Sequence, residues 1–372
     1  MLSGLGRNNE SIELLQNFHQ DIEKCCQDHE DGITYVQAQT ELVAALFQQY
    51  EKPIYWGDFT RNHPMAAGTP SSIPEILQFL EDIRVPTVEV HDYTASEMNE
   101  AKPLGSILDH FRTLSDVSLP WNCLDIRNQS RSSVPLPIHQ VDLLHRAQRW
   151  QNQSVSKAIT QHSPYDHADH EFYLLSTRRS ISSIHADTAG KSTYIIGLEG
   201  KKVWYLPYQP SADALQLFGS TNPKPFRNGW MRIEILPGDL LIMPPGYPHA
   251  VFTPEDSLTF GGNFYTLPHL GNSLCFLRQQ SLVDSHDELI LSNELITCQD
   301  YRNFTTMLQY CTGHIKSPMA TGLIRSALQW GISDTYTTES QLRGNQCHES
   351  DSVQRLQADL RVALWQVLKR FN

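Results

Sequence analysis

The chain has 372 residues, of which 40% are hydrophobic and 19% are charged, a composition typical of a globular protein with one or two domains. It contains no run of about 18 apolar residues, so we expect no transmembrane helix and no role in the membrane. The formal net charge of −12 argues against broad binding of nucleic acid through its phosphates and is compatible with a basic peptide substrate.

The cysteines and the first residues indicate the compartment. The seven cysteines are scattered, and no pair has zinc-finger spacing. An odd number of cysteines without a disulfide framework is typical of reduced thiols. The first ten residues lack the apolar core of a signal peptide. We therefore expect an intracellular protein.

The first part of the chain is predicted to be mainly helical. Residues 10–50 carry apolar side chains at helical spacing. Residues 53–74 are rich in Gly, Pro and Ser and are predicted to form a connecting loop. Further helices are expected over 73–83, 104–114 and 141–150, and strands over 85–90 and 121–126.

Short β-branched and aromatic runs, separated by Gly and Pro turns, occupy residues 182–264. This pattern predicts a sandwich or jelly roll of the cupin-like class. Glu199-Gly200 is predicted to be a hairpin turn. The remaining expectations are a solvated loop at 161–170, an insertion at 207–230, a further strand between 264 and 279, and a helical stripe at 353–368.

Three residues in this region have the character of metal ligands. His185 and Asp187 are two positions apart, and alternate residues of a strand point to one face. His249 follows an apolar strand and a Pro-Gly turn. Two imidazoles and one carboxylate form the facial triad of non-haem Fe(II) oxygenases, which leaves positions open for a cosubstrate and O2. We predict that these three residues bind Fe(II) and are catalytic.

Several stretches around these ligands carry a family signature. They are His185-Ala186-Asp187, Gly200-Lys201-Lys202-Val203-Trp204, Pro237-Gly238-Asp239, Tyr247-Pro248-His249-Ala250-Val251 and Asp256-Ser257-Leu258-Thr259-Phe260-Gly261-Gly262-Asn263-Phe264. Together they resemble JmjC-domain Fe(II)/2-oxoglutarate oxygenases, in particular the histone-lysine demethylase branch. The similarity covers about residues 85 to 285.

The resemblance implies a mainly β fold with helical flanks, whose core is a double-stranded β-helix, the cupin-like jelly roll. On this basis we divide the chain into a helical N-terminal region, a JmjC catalytic domain and a helical C-terminal region. The predicted boundaries are 1–84, 85–285 and 286–372.

The resemblance also implies residues that bind 2-oxoglutarate. Lys202 is the expected partner of its distal carboxylate, whereas Lys201 points to the opposite face of a regular strand; the alternative is two surface lysines in a hairpin. Ser182 could donate to the same carboxylate or be an ordinary strand serine. Asn122 could lie near the cosubstrate or be a turn or edge asparagine.

One position departs from the family pattern. The branch has a polar side chain ten residues after the first histidine, where this chain has Ile195. Thr193 and Tyr194 are the polar candidates nearby, and a bulge could present either of them. We include Thr193 among the predicted cosubstrate contacts. The departure leaves open a degenerate domain that does not bind the cosubstrate.

The function that the resemblance implies is that of a nuclear chromatin regulator. The predicted reaction hydroxylates an N-methyl group of methyl-lysine on histone H3, with release of formaldehyde, and converts 2-oxoglutarate and O2 into succinate and CO2. Tyr173, Tyr194 and Tyr247 are possible walls of the methyl-lysine site or ordinary core residues. The alternatives are a JmjC side-chain hydroxylase acting on another protein and an inactive scaffold. The oligomeric state is left open.

Overall fold

The computed structural model describes residues 20–26, 30–92, 99–113, 120–127, 134–155, 170–210, 229–282, 298–314, 362–363 and 366. The strands are β1 (Thr34–Tyr35), β2 (Ile54–Trp56), β3 (Thr87–Asp92), β4 (Asn99–Pro103), β5 (Trp121–Arg127), β6 (Glu171–Ser176), β7 (Ile181–His185), β8 (Ser192–Glu199), β9 (Lys202–Pro207), β10 (Trp230–Ile235), β11 (Leu240–Met243), β12 (His249–Phe252) and β13 (Ser257–Phe264). The α-helices are α1 (Gln39–Leu46), α2 (Phe59–Asn62), α3 (Ile73–Asp82), α4 (Leu104–Arg112), α5 (Leu136–Val141), α6 (Leu143–Val155), α7 (Leu270–Leu282) and α8 (Cys298–His314).

The strands form two sheets. The larger has the order β1-β2-β11-β8-β13-β6-β5-β3-β4, and the smaller has the order β10-β9-β12-β7. From β7 to β13 the chain passes repeatedly between the sheets, and its strand pairs there are antiparallel. This is the arrangement of a jelly roll. The prediction of a mainly β, cupin-like core with helical flanks is confirmed.

Two apolar layers hold the sheets in place. Between the sheets, Ile195, Trp204, Leu241 and Val251 form one cluster of buried side chains. On the opposite face of the larger sheet, strand residues pack against helices α1, α3, α4 and α5 in a second cluster. The alternating side chains of each strand supply both layers, so the inner layer can carry the site while the outer layer stabilises the fold.

Helix α3 begins where the sequence predicts it. The backbone N–H of Glu75 donates to the Ser72 hydroxyl at 3.4 Å, and Pro74 occupies the first turn. The serine hydroxyl accepts a hydrogen bond from one of the N–H groups that have no partner in the first turn of a helix. Proline has no N–H group and therefore needs no partner there. Helices α4 and α6 and strand β5 also lie close to their predicted positions.

Two predictions for the N-terminal region are corrected by the structure. The expected helical stretch 10–50 contains helix α1, as predicted, but also strand β1, and the expected loop 53–74 contains strand β2 and helix α2. Strand β2 pairs with β11, with Trp56 opposite Leu240. The pairing partner lies far along the chain, and this long-range contact overrides the local loop composition.

The predicted strand between 264 and 279 is also wrong, because the structure has helix α7 there. Leu270, Leu274 and Leu277 recur at helical spacing and are buried together with residues of α6 and α8. Strand β4 was not predicted; it is polar apart from Ala101 and Pro103 and pairs with β3 at the edge of the sheet.

Several predictions fall on residues that the structure does not describe. The loop at 161–170 is described only at residue 170, the insertion at 207–230 only at its two ends, and the stripe at 353–368 only at residues 362, 363 and 366. The boundaries between the three regions stay predictions. None of the described helices is long and apolar enough to cross a membrane.

Candidate metal and cosubstrate site

The three predicted metal ligands meet at one point. Their candidate ligand atoms all lie within 4.8 Å of one another. His185 is the last residue of β7 and stands directly opposite His249, the first residue of β12. Asp187 lies two residues beyond the end of β7, in extended backbone with φ −65° and ψ 145°. The assumption that His185 and Asp187 share one strand is therefore wrong, although both side chains reach the same point.

The ring of His249 is fixed by two contacts. Its Nδ1 lies 3.0 Å from the backbone carbonyl of Tyr247, and its ring stacks on Trp204 at a centroid distance of 5.0 Å. A carbonyl only accepts, so Nδ1 carries the proton and Nε2 keeps its lone pair for a metal. Burial, with the nearby His185, lowers the pKa of His249 to about 4, which keeps the imidazole neutral near pH 7.

A bulge in β7 brings Ser182 to the side of the ligands. His185 pairs with His249 and Ser182 with Val251, so three steps along β7 match two steps along β12. In a regular strand, residues three apart point to opposite faces. The extra residue of the bulge reverses this, and Ser182 faces the space between the sheets with His185.

Lys202 is buried inside the jelly roll. It shares the inner face of β9 with Trp204, and its side chain is 2% exposed. The ammonium donates to Ser176 Oγ at 2.6 Å and to Thr253 Oγ1 at 3.3 Å. Among the described residues no carboxylate forms an ion pair with it. Burial therefore lowers the pKa of Lys202 to about 7.

Lys201 occupies the opposite face of the hairpin. Its ammonium lies 3.8 Å from Glu234 and 3.9 Å from Glu255, at the surface. The turn before it is the predicted Glu199-Gly200, where Gly200 has φ +69° and a Cβ would lie 2.0 Å from the carbonyl oxygen of Asp256. The expectation that the two lysines point to opposite faces agrees with these contacts.

The polar residues around Lys202 form one chain of hydrogen bonds. Ser176 Oγ donates to Asn122 Oδ1 at 2.6 Å, and Asn122 Nδ2 donates to Ser182 Oγ at 3.0 Å. The structure thus brings together Lys202, Asn122 and Ser182, which the sequence placed on three separate strands. Their polar atoms could bind an anionic carboxylate, for which the ammonium supplies the charge.

Thr193 lies beside the metal ligands. Strand β8 pairs without a bulge from Thr193 to Ile196, so Thr193 and Ile195 face inward and Tyr194 faces the outer layer. The Thr193 hydroxyl contacts Asp187 Oδ2 and lies 2.9 Å from Asn263 Oδ1. Ile195 packs among Trp204, Leu241 and neighbouring apolar side chains and offers no hydrogen bond. The role of Thr193 as a cosubstrate contact stays a prediction.

The three tyrosines offered as walls of a methyl-lysine site are core residues. Tyr173 and Tyr194 lie in the outer apolar layer with Phe260. Tyr247 is buried between the sheets and donates to the backbone carbonyl of Pro207 at 2.8 Å. Their rings are committed to packing, so the alternative reading as core residues is the one that the structure supports.

Sequence reasoning missed four polar residues of the site: Ser176, Thr253, Asn263 and His91. Ser176 ends the Tyr173-Leu174-Leu175-Ser176 stretch, and Thr253 follows β12. A hydroxyl at an inward strand position was the available signal, but serine and threonine are common on strands of every kind. His91 is buried, and burial followed by the charge of His185 lowers its pKa to about 4.

The described residues fit the groups that the fold implies. The ligand set of two imidazoles and a carboxylate suits Fe(II) with open positions. The buried ammonium of Lys202, bonded only to hydroxyls among the described residues, suits an anion.

Comparisons with known proteins point in the same direction. Residues 143–270 match the family model of the JmjC domain. The "JmjC domain-containing histone demethylation protein 1" of Debaryomyces hansenii is 30% identical over 217 residues, which cover 49% of this chain and 41% of that protein. The protein of the same name from Saccharomyces cerevisiae is 26% identical over 227 residues, covering 54% of this chain and 44% of that protein.

A third similar protein is the "Histone lysine demethylase PHF8" of Danio rerio, which is 34% identical over 103 residues, covering 25% of this chain and 10% of that protein. In all three comparisons the aligned part spans less than half the length of the relative. The region that matches the JmjC family model, residues 143–270, contains the three predicted metal ligands His185, Asp187 and His249.

Proposed function

We propose, from the premise that this chain carries a JmjC domain and resembles histone demethylases, that it is an Fe(II)- and 2-oxoglutarate-dependent dioxygenase. The proposed substrate is methyl-lysine on histone H3, and the proposed place of action is the nucleus. The observation that carries the proposal is the buried ammonium of Lys202, which is linked through Ser176 and Asn122 to Ser182 on the strand that ends at His185. The ammonium of Lys202 on β9 is thus connected by hydrogen bonds to β7, the strand that ends at the predicted metal ligand His185.

Different residues are proposed to bind the metal and the cosubstrate. His185, Asp187 and His249 would hold Fe(II) on one face and leave the other face open. Lys202 would bind the distal carboxylate of 2-oxoglutarate, and Ser182 would donate to it. Bound iron with 2-oxoglutarate and O2 supplies oxidation of a methyl C–H bond, after which the hydroxylated methyl group leaves as formaldehyde. The apolar wall of Ile195, Trp204 and Met243 would keep water from this space.

The substrate assignment rests on charge and on similarity. The chain has 41 acidic and 29 basic residues, which favours a basic tail. The relatives named above are histone demethylation proteins. We expect formaldehyde release from mono- and dimethylated histone H3 lysine peptides, with trimethyl-lysine poorer by analogy with the resembling branch.

A peptide panel tests the substrate. Each methylated H3 peptide is incubated with Fe(II), 2-oxoglutarate and O2, and peptide mass, formaldehyde and succinate are measured; His185→Ala is the control. Loss of a methyl group with formaldehyde supports the proposal. Gain of one oxygen on unmethylated peptides, with no demethylation, would instead indicate a side-chain hydroxylase. Absence of succinate and of any mass change would indicate an inactive scaffold, the reading that the apolar Ile195 favours.

The affinity for 2-oxoglutarate is expected to depend on pH through Lys202. Its pKa of about 7 in the free protein means that binding above this pH requires uptake of a proton. The apparent Kd should therefore stay level below about pH 7 and rise about tenfold for each pH unit above it. Calorimetric titration with 2-oxoglutarate and Mn(II) at several pH values measures this slope.

The matched control for this slope is Lys201→Met, because Lys201 faces the surface beside Glu234 and Glu255. The variant should keep the wild-type pH dependence. A Kd that does not change between about pH 6 and pH 9 would show that the ammonium of Lys202 does not bind the cosubstrate.

A further inference from the structure

Two polar side chains, Thr193 and Asn263, lie in series behind the carboxylate of Asp187, a proposed metal ligand. The hydroxyl of Thr193, on the inner face of β8, contacts Asp187 Oδ2. Thr193 is directly opposite Asn263 of β13 in the sheet, and the two side chains meet at 2.9 Å. Thr193 is 3% exposed, so water does not compete for these contacts.

The hydrogen bonds of this group can be assigned by counting protons. A carboxylate only accepts, so Thr193 must donate its single hydroxyl proton to Asp187. Thr193 Oγ1 then has only lone pairs left for Asn263. A rotation of the Asn263 amide by 180° places its Nδ2 donor, rather than Oδ1, at the 2.9 Å contact. In that arrangement Asn263 donates to Thr193, and Thr193 donates to Asp187.

Backbone contacts fix the Asn263 end of this series of hydrogen bonds but not the Asp187 end. The backbone N–H of Asn263 donates to the carbonyl of His170 at 2.9 Å. Gly262, next to Asn263, leaves no room for a Cβ, because that atom would lie 2.6 Å from the hydroxyl of Tyr194. The strand is therefore held tightly at this position. Asp187 itself lies outside β7 and has no ladder hydrogen bonds to hold it.

We propose that Thr193 and Asn263 are positioning residues for the metal ligand Asp187. With Oδ2 engaged by Thr193, Oδ1 would be the carboxylate oxygen left for the metal. This inference rests on the proposed function, since it needs a metal at His185, Asp187 and His249. It also assigns a use to Thr193 other than contact with the cosubstrate. Partners of this kind orient metal ligands and raise metal affinity.

The test is a calorimetric titration with Mn(II) in the absence of cosubstrate. Thr193→Val keeps the shape of the side chain and removes the hydroxyl. It is expected to weaken Mn(II) binding by about 10- to 100-fold, as is typical when an outer partner of a metal ligand is lost. Thr193→Ser, which keeps a hydroxyl, should bind nearly as the wild type does. Thr193→Ala removes the hydroxyl without adding a methyl group and replaces the valine variant if that one fails to fold.

A double substitution separates positioning from packing. If Asn263 acts through the Thr193 hydroxyl, Asn263→Ala weakens Mn(II) binding on its own but adds nothing to Thr193→Val. The matched control is Thr259→Val, since Thr259 is a buried threonine of β13 whose hydroxyl has no partner among the described residues. This control should leave Mn(II) affinity unchanged.

The outcomes separate a failure of the positioning role from a failure of the proposed function. Mn(II) binding by the wild type that is lost in His185→Ala, yet kept within about twofold in both Thr193→Val and Thr193→Ala, overturns the positioning role and leaves the metal site standing. If the losses of Mn(II) affinity from Thr193→Val and Asn263→Ala add up in the double variant, the positioning role is likewise overturned. Equal binding by the wild type and His185→Ala, or no binding by either, overturns the proposed function itself.

Discussion

Replacing Lys202 with methionine is expected to weaken 2-oxoglutarate binding by roughly 30- to 4,000-fold, measured as Kd in a calorimetric titration with Mn(II) present. The physical reason is the loss of the charge that faces the buried carboxylate of the cosubstrate, which costs about 2–5 kcal/mol. The hydroxyl groups of Ser176 and Thr253 remain but supply no charge. Methionine keeps the apolar stem that packs inside the jelly roll.

The same substitution should stabilise the protein when no ligand is bound. Burial lowers the pKa of Lys202 to about 7, below its usual 10.5, so the charged form is unfavourable in the folded state. This cost is fully present below about pH 7, where both states are protonated, and it disappears as the pH rises to about 10.5. Lys202→Met should therefore raise the midpoint of thermal unfolding most at or below pH 7.

Lys201→Met is the control for both measurements. Its ion pairs at 3.8 and 3.9 Å lie at the surface and contribute about 0–1 kcal/mol. Neither cosubstrate affinity nor its pH dependence should change. Equal losses of affinity from the two variants, or none from Lys202→Met, would contradict the assignment of Lys202 to the cosubstrate.

Replacing His185 with alanine is expected to abolish metal-dependent turnover and to weaken Mn(II) binding by more than about 100-fold. Loss of an outer partner of a metal ligand typically costs 10- to 100-fold, and loss of a ligand itself costs more. His185 is half-buried at the end of β7, so its removal leaves the core clusters intact. Metal content after reconstitution, together with succinate release, measures the effect.

A histidine outside the site provides the control. His63 stacks on Phe59 at a centroid distance of 4.6 Å and contacts Trp56, away from the metal ligands. His63→Ala should lower stability somewhat and leave Mn(II) affinity unchanged. If His185→Ala retains the wild-type metal content and turnover, the ligand assignment is wrong.

The sequence predicted which residues would meet at the candidate metal site because two histidines and one aspartate form a facial triad and the surrounding stretches carry a family signature. The structure brings their ligand atoms within 4.8 Å of one another. The strand geometry that brings these residues together was predicted only in part. Asp187 lies past the end of β7, and the bulge that turns Ser182 toward the ligands depends on pairing with β12. Such a register shift has no local signal in the sequence.

The polar residues around the ligands were harder to predict. Ser176 joins Lys202 to Asn122, and Asn263 reaches Thr193 across paired strands. Each belongs to a strand distant in sequence from its partner, and neither residue type is distinctive. Strand β2 was missed for the same reason, because its pairing partner β11 lies far along the chain, and β1 was missed with it, because β1 pairs only with β2 among the described strands.

We propose that a single pocket holds both a metal and 2-oxoglutarate. The most direct measurement is an anaerobic calorimetric titration of the wild type with 2-oxoglutarate, with and without Mn(II). Because the cosubstrate would bind both the metal and Lys202, we predict binding more than about tenfold tighter with the metal, and loss of this gain in His185→Ala. Affinity that is the same with and without metal, or no binding in either condition, would contradict the claim.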